Sequence, residues 1–198
     1  MASIWVYPGQ GVQRSNMLHD LPQTALVKEY LERASDALKE DVLMLDRPAA
    51  LKSTRAVQLC LLISGVVSSA LLRAENLKPD YVAGLSIGAW SAAVVAEVLA
   101  YEDAVRLVAY RGELMQNAYP TGYGMTALIG TDRAAVETWV KQIYEITPEV
   151  FVANINAHNQ IVISGSFEAM TQVAVLAKQQ GVVAKKLDVS VPDRKSVV

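Results

Sequence analysis

The chain has one cysteine, Cys60, among 198 residues and only two histidines, His19 and His158. A single thiol excludes an internal disulfide framework and any cysteine-rich zinc site, and two isolated histidines give no basis for a dedicated metal site. Charge of one sign is also lacking. With 18 Lys+Arg against 20 Asp+Glu the formal charge is −2 and the sequence pI about 5.7, and basic residues cluster no further than pairs such as Lys185-Lys186. A nucleic-acid partner would call for a basic face that this chain does not have. The opening Met1-Ala2-Ser3-Ile4-Trp5 has no cationic stretch leading into a long apolar run, which reads as no secretory leader and a cytoplasmic protein. No glycine-rich stretch runs into Gly-Lys-Ser/Thr, so a phosphate loop is excluded.

What is abundant is apolar. The hydrophobic share is 52%, and 11 glycines bring it to about 58%, against about 45–50% in ordinary globular chains. That excess implies a deeply buried sheet, or surface that another segment covers. The longest apolar run is the 17 residues between Arg55 and Arg73, interrupted by Gln58, Ser64, Gly65, Ser68 and Ser69. It falls short of the ~20 residues of a membrane span and reads as a buried core helix.

The order of elements gives the organisation. Ile4–Tyr7 is a short β-rich run that breaks at Pro8-Gly9-Gln10-Gly11. Helical spacing follows over Ala25–Leu38, then the Arg55–Arg73 helix, then a strand at Tyr81-Val82-Ala83 ending at Gly84. Ala89 to Leu99 is Ala/Val-rich, and a helix is predicted over Tyr101–Ala118. Pro120, Gly122 and Gly124 mark a domain boundary. Beyond it, predicted strands at Met125–Ile129, Phe151–Ile155, Gln160–Ser164 and Val182–Leu187 alternate with helices capped by Thr131 or Asp132 and by Ser166. The order β-α-β-β-α-β is that of a ferredoxin-like unit. The expected fold is α/β: a parallel-sheet core over residues 1–123, a ferredoxin-like small domain over 124–190, and a return toward the large domain at 191–198.

The strongest chemical signal is Gly84-Leu85-Ser86-Ile87-Gly88 between a strand and a helix, the setting of a nucleophile elbow. In that setting a strained turn lifts the Ser86 hydroxyl above the sheet edge, while the Ile87 N–H and the helix N-terminus favour a developing oxyanion; the alternative is a glycine-rich tight turn with an ordinary serine. Pro8-Gly9-Gln10-Gly11 after the first strand reads either as an ordinary glycine turn or as the place of a second oxyanion donor, the Gln10 backbone N–H. Arg111 sits on an otherwise apolar helix. On residue type alone it reads as a solvated arginine or as the ion-pair partner of Glu113 or Glu102, the alternative being a fork for a substrate carboxylate. A serine nucleophile needs a base. His158 sits in a polar hairpin and His19 in a loop or helix end, and Asn154 and Asn156 read as strand-end residues that close turns.

Taken together, PGQGVQ near the start, GLSIG after the second strand, RGELM about one helix later and NINAHNQIVISG further on resemble the malonyl-CoA:acyl carrier protein transacylase family over nearly the whole chain. Leu85 before the serine, Ala89-Trp90 after the last glycine, PGQGVQRSNMLHDLP and AYPTGYGMTAL are similar to its malonate decarboxylase epsilon-subunit branch. The resemblance implies an acyltransferase that moves malonyl from malonyl-CoA, through an ester on Ser86, to the thiol of a carrier protein's phosphopantetheine-type arm. It implies the backbone N–H groups of Gln10 and Ile87 as oxyanion hole, and Arg111, with Gln10, as the site of the malonyl group. Acyl carrier protein and other decarboxylase subunits are the implied partners, with no permanently bound cofactor, no metal, no nucleic acid and no membrane. The family's catalytic histidine follows a proline by two positions after the small domain's last strand. Arg194 occupies its place after Pro192, and arginine stays protonated near neutral pH. The expectation is therefore a chain truncated or frame-shifted after about Pro192, slow or inactive as written. The rival readings are a fatty-acid-synthesis transacylase, a serine esterase or thioesterase on the same elbow, and a non-catalytic docking subunit.

Overall fold

The structure is a computed structural model and describes residues 2–118 and 121–187. The chain divides into two compact units, Met1–Leu114 and Met115–Val198. The division falls within the last turns of the fourth helix, upstream of the 123/124 boundary read from the glycine-rich break.

In the first unit, β1 (Ile4–Tyr7) and β2 (Tyr81–Gly84) pair in parallel, in register from Ile4↔Tyr81 to Tyr7↔Gly84. Parallel pairing needs a long crossover, supplied here by helices α1 (Ala25–Leu38) and α2 (Thr54–Ala74). Thr24 caps α1 by accepting from the Val27 N–H, and Lys39 closes it in the left-handed region. α2 is the one helix among the described residues long and apolar enough to cross a bilayer, yet 61% of that apolar window is buried. Leu59, Cys60, Leu62, Ile63 and Val67 are buried together with Val27, Val42, Ile87, Val105 and Val108. Each of the valine, leucine and isoleucine side chains contributes about 1.5–3 kcal/mol by leaving water. Burial also pushes the Cys60 thiol up to about 12, with the Asp46 carboxylate adding to the effect. Two further helices complete the unit, α3 (Gly88–Val95) directly after β2 and α4 (Tyr101–Ala118).

The second unit contains β3 (Tyr123–Ile129), α5 (Arg133–Tyr144), β4 (Val150–Ala157), β5 (Gln160–Ser166), α6 (Phe167–Gln179) and β6 (Val183–Lys186). Its strands lie in the order β4-β5-β3-β6, every pair antiparallel. Side-chain alternation separates two faces. Leu128, Ile161 and Ile163 pack with Val136, Ile143 and Val173 of the helices, whereas Met125, Ala127 and Val162 form a separate cluster with Ala153. Asp132 and Ser166 cap α5 and α6 as their positions predict. β4 and β5 run longer than expected, so the turn between them is His158-Asn159 alone. Asn154 and Asn156 consequently do not close a turn. They lie inside β4 near the register shifts after Val152 and Ile155, because cross-strand pairing with Val162 and Ile161 continues through this stretch. The residues from 188 onward, with the expected return at 191–198 and Arg194, lie outside the described residues.

A candidate active site on a strained strand–turn–helix elbow

The elbow is built by exclusion. Ser86 has φ +52°, in the left-handed region that non-glycine residues seldom occupy, between the end of β2 and the start of α3. Its flanking glycines are compulsory for space. A Cβ on Gly84 would come within 2.1 Å of the Gly88 carbonyl carbon, and one on Gly88 within 2.2 Å of the Tyr7 carbonyl oxygen. Without these contacts β2 could not turn into α3 against the end of β1. The Leu85 N–H donates to the Tyr7 carbonyl (3.1 Å), and a Cβ on Gly9 would lie 3.3 Å from the Leu85 carbonyl oxygen. The loop carrying Gln10 is therefore held against the elbow. Ile87 is fully buried at the N-terminal cap position of α3, so its peptide stands where the helix dipole is positive.

Arg111 comes from α4. Its Nη2 donates to Ser86 Oγ at 3.1 Å and its Nη1 donates to Gln58 Oε1 at 2.5 Å. The ion pairs considered for it go elsewhere: Glu102 is bound by Arg33 (Nε to Oε1, 2.7 Å) and Glu113 by Arg55 (3.0 Å). The hydrogen bond from Arg33 holds the Glu102 carboxyl below its ordinary value. Two features that residue-type reading overlooked place the guanidinium. One is Gly112, where a Cβ would meet the Arg55 Cα at 2.5 Å, so the bare glycine lets α4 press on α2. The other is Gln58, one turn along α2 from Arg55 and fully buried, whose Nε2 donates to Gln10 Oε1 at 3.3 Å. The signal for it was the lone amide inside an apolar helix.

Of the expected site residues, Ser86, Ile87, Gln10 and Arg111 converge in the first unit. His19 does not join them as a base: its Nδ1 lies 2.8 Å from Oδ1 of Asp46, a buried carboxylate that also accepts the N–H groups of Leu18 (2.9 Å) and His19 (3.2 Å). His158 is in the exposed β4–β5 turn of the second unit.

A profile of the family described as "Acyl transferase domain" matches residues 4–195. The chain belongs to the acyl transferase domain family. A malonyl CoA-acyl carrier protein transacylase of Haemophilus influenzae is 41% identical over 195 residues, covering 94% of this chain and 62% of that protein. The acyl transferase fold is shared with a malonyl CoA-acyl carrier protein transacylase structure from Coxiella burnetii, at TM-score 0.90 and 36% identity over 97% of this chain and 63% of that one. A malonyl-transacylase solved in complex with a type II PKS acyl-carrier protein matches at TM-score 0.89 and 34% identity, over 97% of this chain and 64% of that one. This acyl transferase chain thus spans a little over three fifths of the length of these relatives.

Proposed function

We propose that the chain carries the acyl-loading half of a malonyl-CoA:acyl carrier protein transacylase. The observation that carries the reading is the Arg111 guanidinium, 3.1 Å from the hydroxyl of a serine held at φ +52° on the elbow. A cation at that distance from a nucleophile suits an acyl group that brings its own carboxylate, and a malonyl thioester is such a group. Ser86 Oγ attacks the thioester carbonyl and the oxyanion is taken up by the backbone N–H groups of Ile87 and Gln10. The C–S bond breaks, CoA leaves as the thiol, and malonyl remains as an ester on Ser86. Attack by the thiol of a carrier protein's phosphopantetheine-type arm then breaks that ester and restores the serine. An acetyl group would leave the guanidinium without the carboxylate it is placed to bind, which gives the selectivity a physical basis. The Ser86 proton needs an acceptor, and His19 is committed to Asp46. Arg194 stands in the sequence where the family pattern has a histidine.

The relatives' names support a carrier protein of fatty-acid or polyketide synthesis better than a place as malonate decarboxylase epsilon subunit. The second unit, with β3 and β5 at the centre of its antiparallel sheet, is read as a ferredoxin-like small domain inserted in a larger α/β core. The reading requires no permanently bound cofactor and goes with a cytoplasmic protein. A serine esterase or thioesterase is disfavoured by Arg111, since neutral esters have no use for a guanidinium at the nucleophile.

The test is intact-protein mass after incubation with malonyl-CoA or acetyl-CoA, on the chain, on Ser86→Ala and on Arg194→His. A malonyl adduct absent from Ser86→Ala, weaker from acetyl-CoA and faster in Arg194→His is expected, since general-base assistance is worth about 10²–10⁴-fold. An adduct that survives Ser86→Ala, or none on any of the three, overturns the reading.

A further inference from the structure

Gln58 is a fully buried amide in a helix whose inward positions near it, Val57, Leu59, Leu61 and Leu62, are hydrocarbon. Burying a carboxamide in such a place costs about 1–3 kcal/mol unless it is hydrogen-bonded, so its bonds say what holds it there. Its oxygen accepts from Arg111 Nη1 at 2.5 Å, and its nitrogen donates to the Gln10 side-chain oxygen at 3.3 Å. The two ends of one amide therefore reach the two parts of the site that have no sequence proximity, the helix carrying the guanidinium and the loop carrying the oxyanion donor. Arg111 Nη2 continues the chain to Ser86 Oγ at 3.1 Å.

We propose that Gln58 is the positioning residue for substrate selection. By fixing Nη1 of Arg111, it sets the plane of the fork so that Nη2 faces the acyl group on Ser86. Through Gln10 it keeps that fork in register with the oxyanion loop. This rests on the malonyl-transfer reading above. A guanidinium is a rigid plane, so one anchored nitrogen leaves only a swing about the anchor. Loss of this bond widens the set of rotamers open to the long side chain, and a carboxylate must then narrow it again. Gln58 is a neutral partner for the guanidinium, whereas a carboxylate in its place would compete with the substrate carboxylate.

The consequence is selective. Removing Gln58's polar atoms should weaken recognition of a carboxylate-bearing acyl group and leave a neutral one nearly untouched, which a merely structural role in the core would not do. Calorimetric titration of malonyl-CoA and of acetyl-CoA reads this directly. In a Ser86→Ala background no acylation intervenes, so no proton acceptor is involved. Gln58→Met should reduce the malonyl-over-acetyl affinity ratio about 10–100-fold, the worth of a hydrogen bond to a charged group. Gln10→Leu lies on the half-buried loop and leaves the folded core intact, and it should reduce the ratio about 3–10-fold. Gln58→Glu should reduce it at least as far as Gln58→Met. If the Ser86→Ala parent itself shows no preference for malonyl-CoA, the carboxylate-clamp reading fails and takes this proposal with it. If the parent prefers malonyl-CoA and Gln10→Leu together with any folded Gln58 variant keeps that ratio, the positioning role alone is overturned.

Discussion

Gly112→Ala is the sharpest test of how the site is assembled, because two opposed effects meet there. At an unconstrained helix position, replacing glycine by alanine stabilises by about 0.8–1 kcal/mol. At this position the new methyl would lie 2.5 Å from the Arg55 Cα and 3.1 Å from the Arg55 N and Cβ. Carbon atoms settle at about 3.5–4.0 Å, so the backbones of α4 and α2 must part by about 1 Å. Backbone atoms have no rotamer by which to give way, and overpacking of this kind costs about 1–3 kcal/mol. The overpacking term wins, leaving a net destabilisation of up to about 2 kcal/mol, with about 2–4 °C lost from the thermal midpoint per kcal/mol. The same displacement moves Arg111 away from Gln58 and Ser86, whose present distances of 2.5 and 3.1 Å leave little slack. Malonyl-CoA binding should fall about 10–100-fold while acetyl-CoA binding changes little. Differential scanning calorimetry and titration of both thioesters on the full chain check it. A variant that melts higher than the parent and binds malonyl-CoA equally well would refute the claim that the bare glycine brings the two helices together.

Ser86→Gly should raise stability by about 1 kcal/mol, because glycine occupies φ +52° without the strain a side chain brings, while abolishing any acyl adduct; a lowered thermal midpoint would show that the serine is not strained. Asp46→Asn should destabilise by about 1–3 kcal/mol at neutral pH, since the carboxylate accepts from the Leu18 and His19 N–H groups and from His19 Nδ1. Burial is the largest influence on Asp46 and pushes its carboxyl up, but the His19 imidazole and the two N–H groups together outweigh it and hold the group below 3.8. A folded-state value below the unfolded one contributes stability that is complete above about pH 4 and is lost as pH falls through the folded value. Urea midpoints taken from neutral pH down to about pH 2 should therefore show parent and Asp46→Asn converging at the acid end, and a gap that stays constant would contradict this.

Much of the backbone was legible because local rules and global packing agree in it. The ranges Ile4–Tyr7, Ala25–Leu38 and Tyr101–Ala118 follow from apolar spacing and from breakers at their ends, and Thr24, Asp132 and Ser166 cap where their side chains predict. The elbow was legible too, since a strand, two glycines around a serine and a helix form one continuous stretch of chain. Asn154 and Asn156 were misread because the end of a hairpin is set by the partner strand, and β5 carries the pairing to Ala157.

The sequence by itself determined the strand–Gly–Ser–Gly–helix unit, the helix-period core and the presence of an arginine on an apolar helix, all consequences of spacing along one chain. Only the tertiary structure decided which side chains that arginine meets. Glu102 and Glu113 stand closer to Arg111 in sequence than Gln58 or Ser86 do, yet Arg33 and Arg55 reach those carboxylates from other helices. Gly112 brings α4 onto α2, so the guanidinium meets an amide and a hydroxyl from two distant segments. Which partner a charged group takes depends on distances of a few ångströms between elements, and composition and periodicity carry no record of those distances.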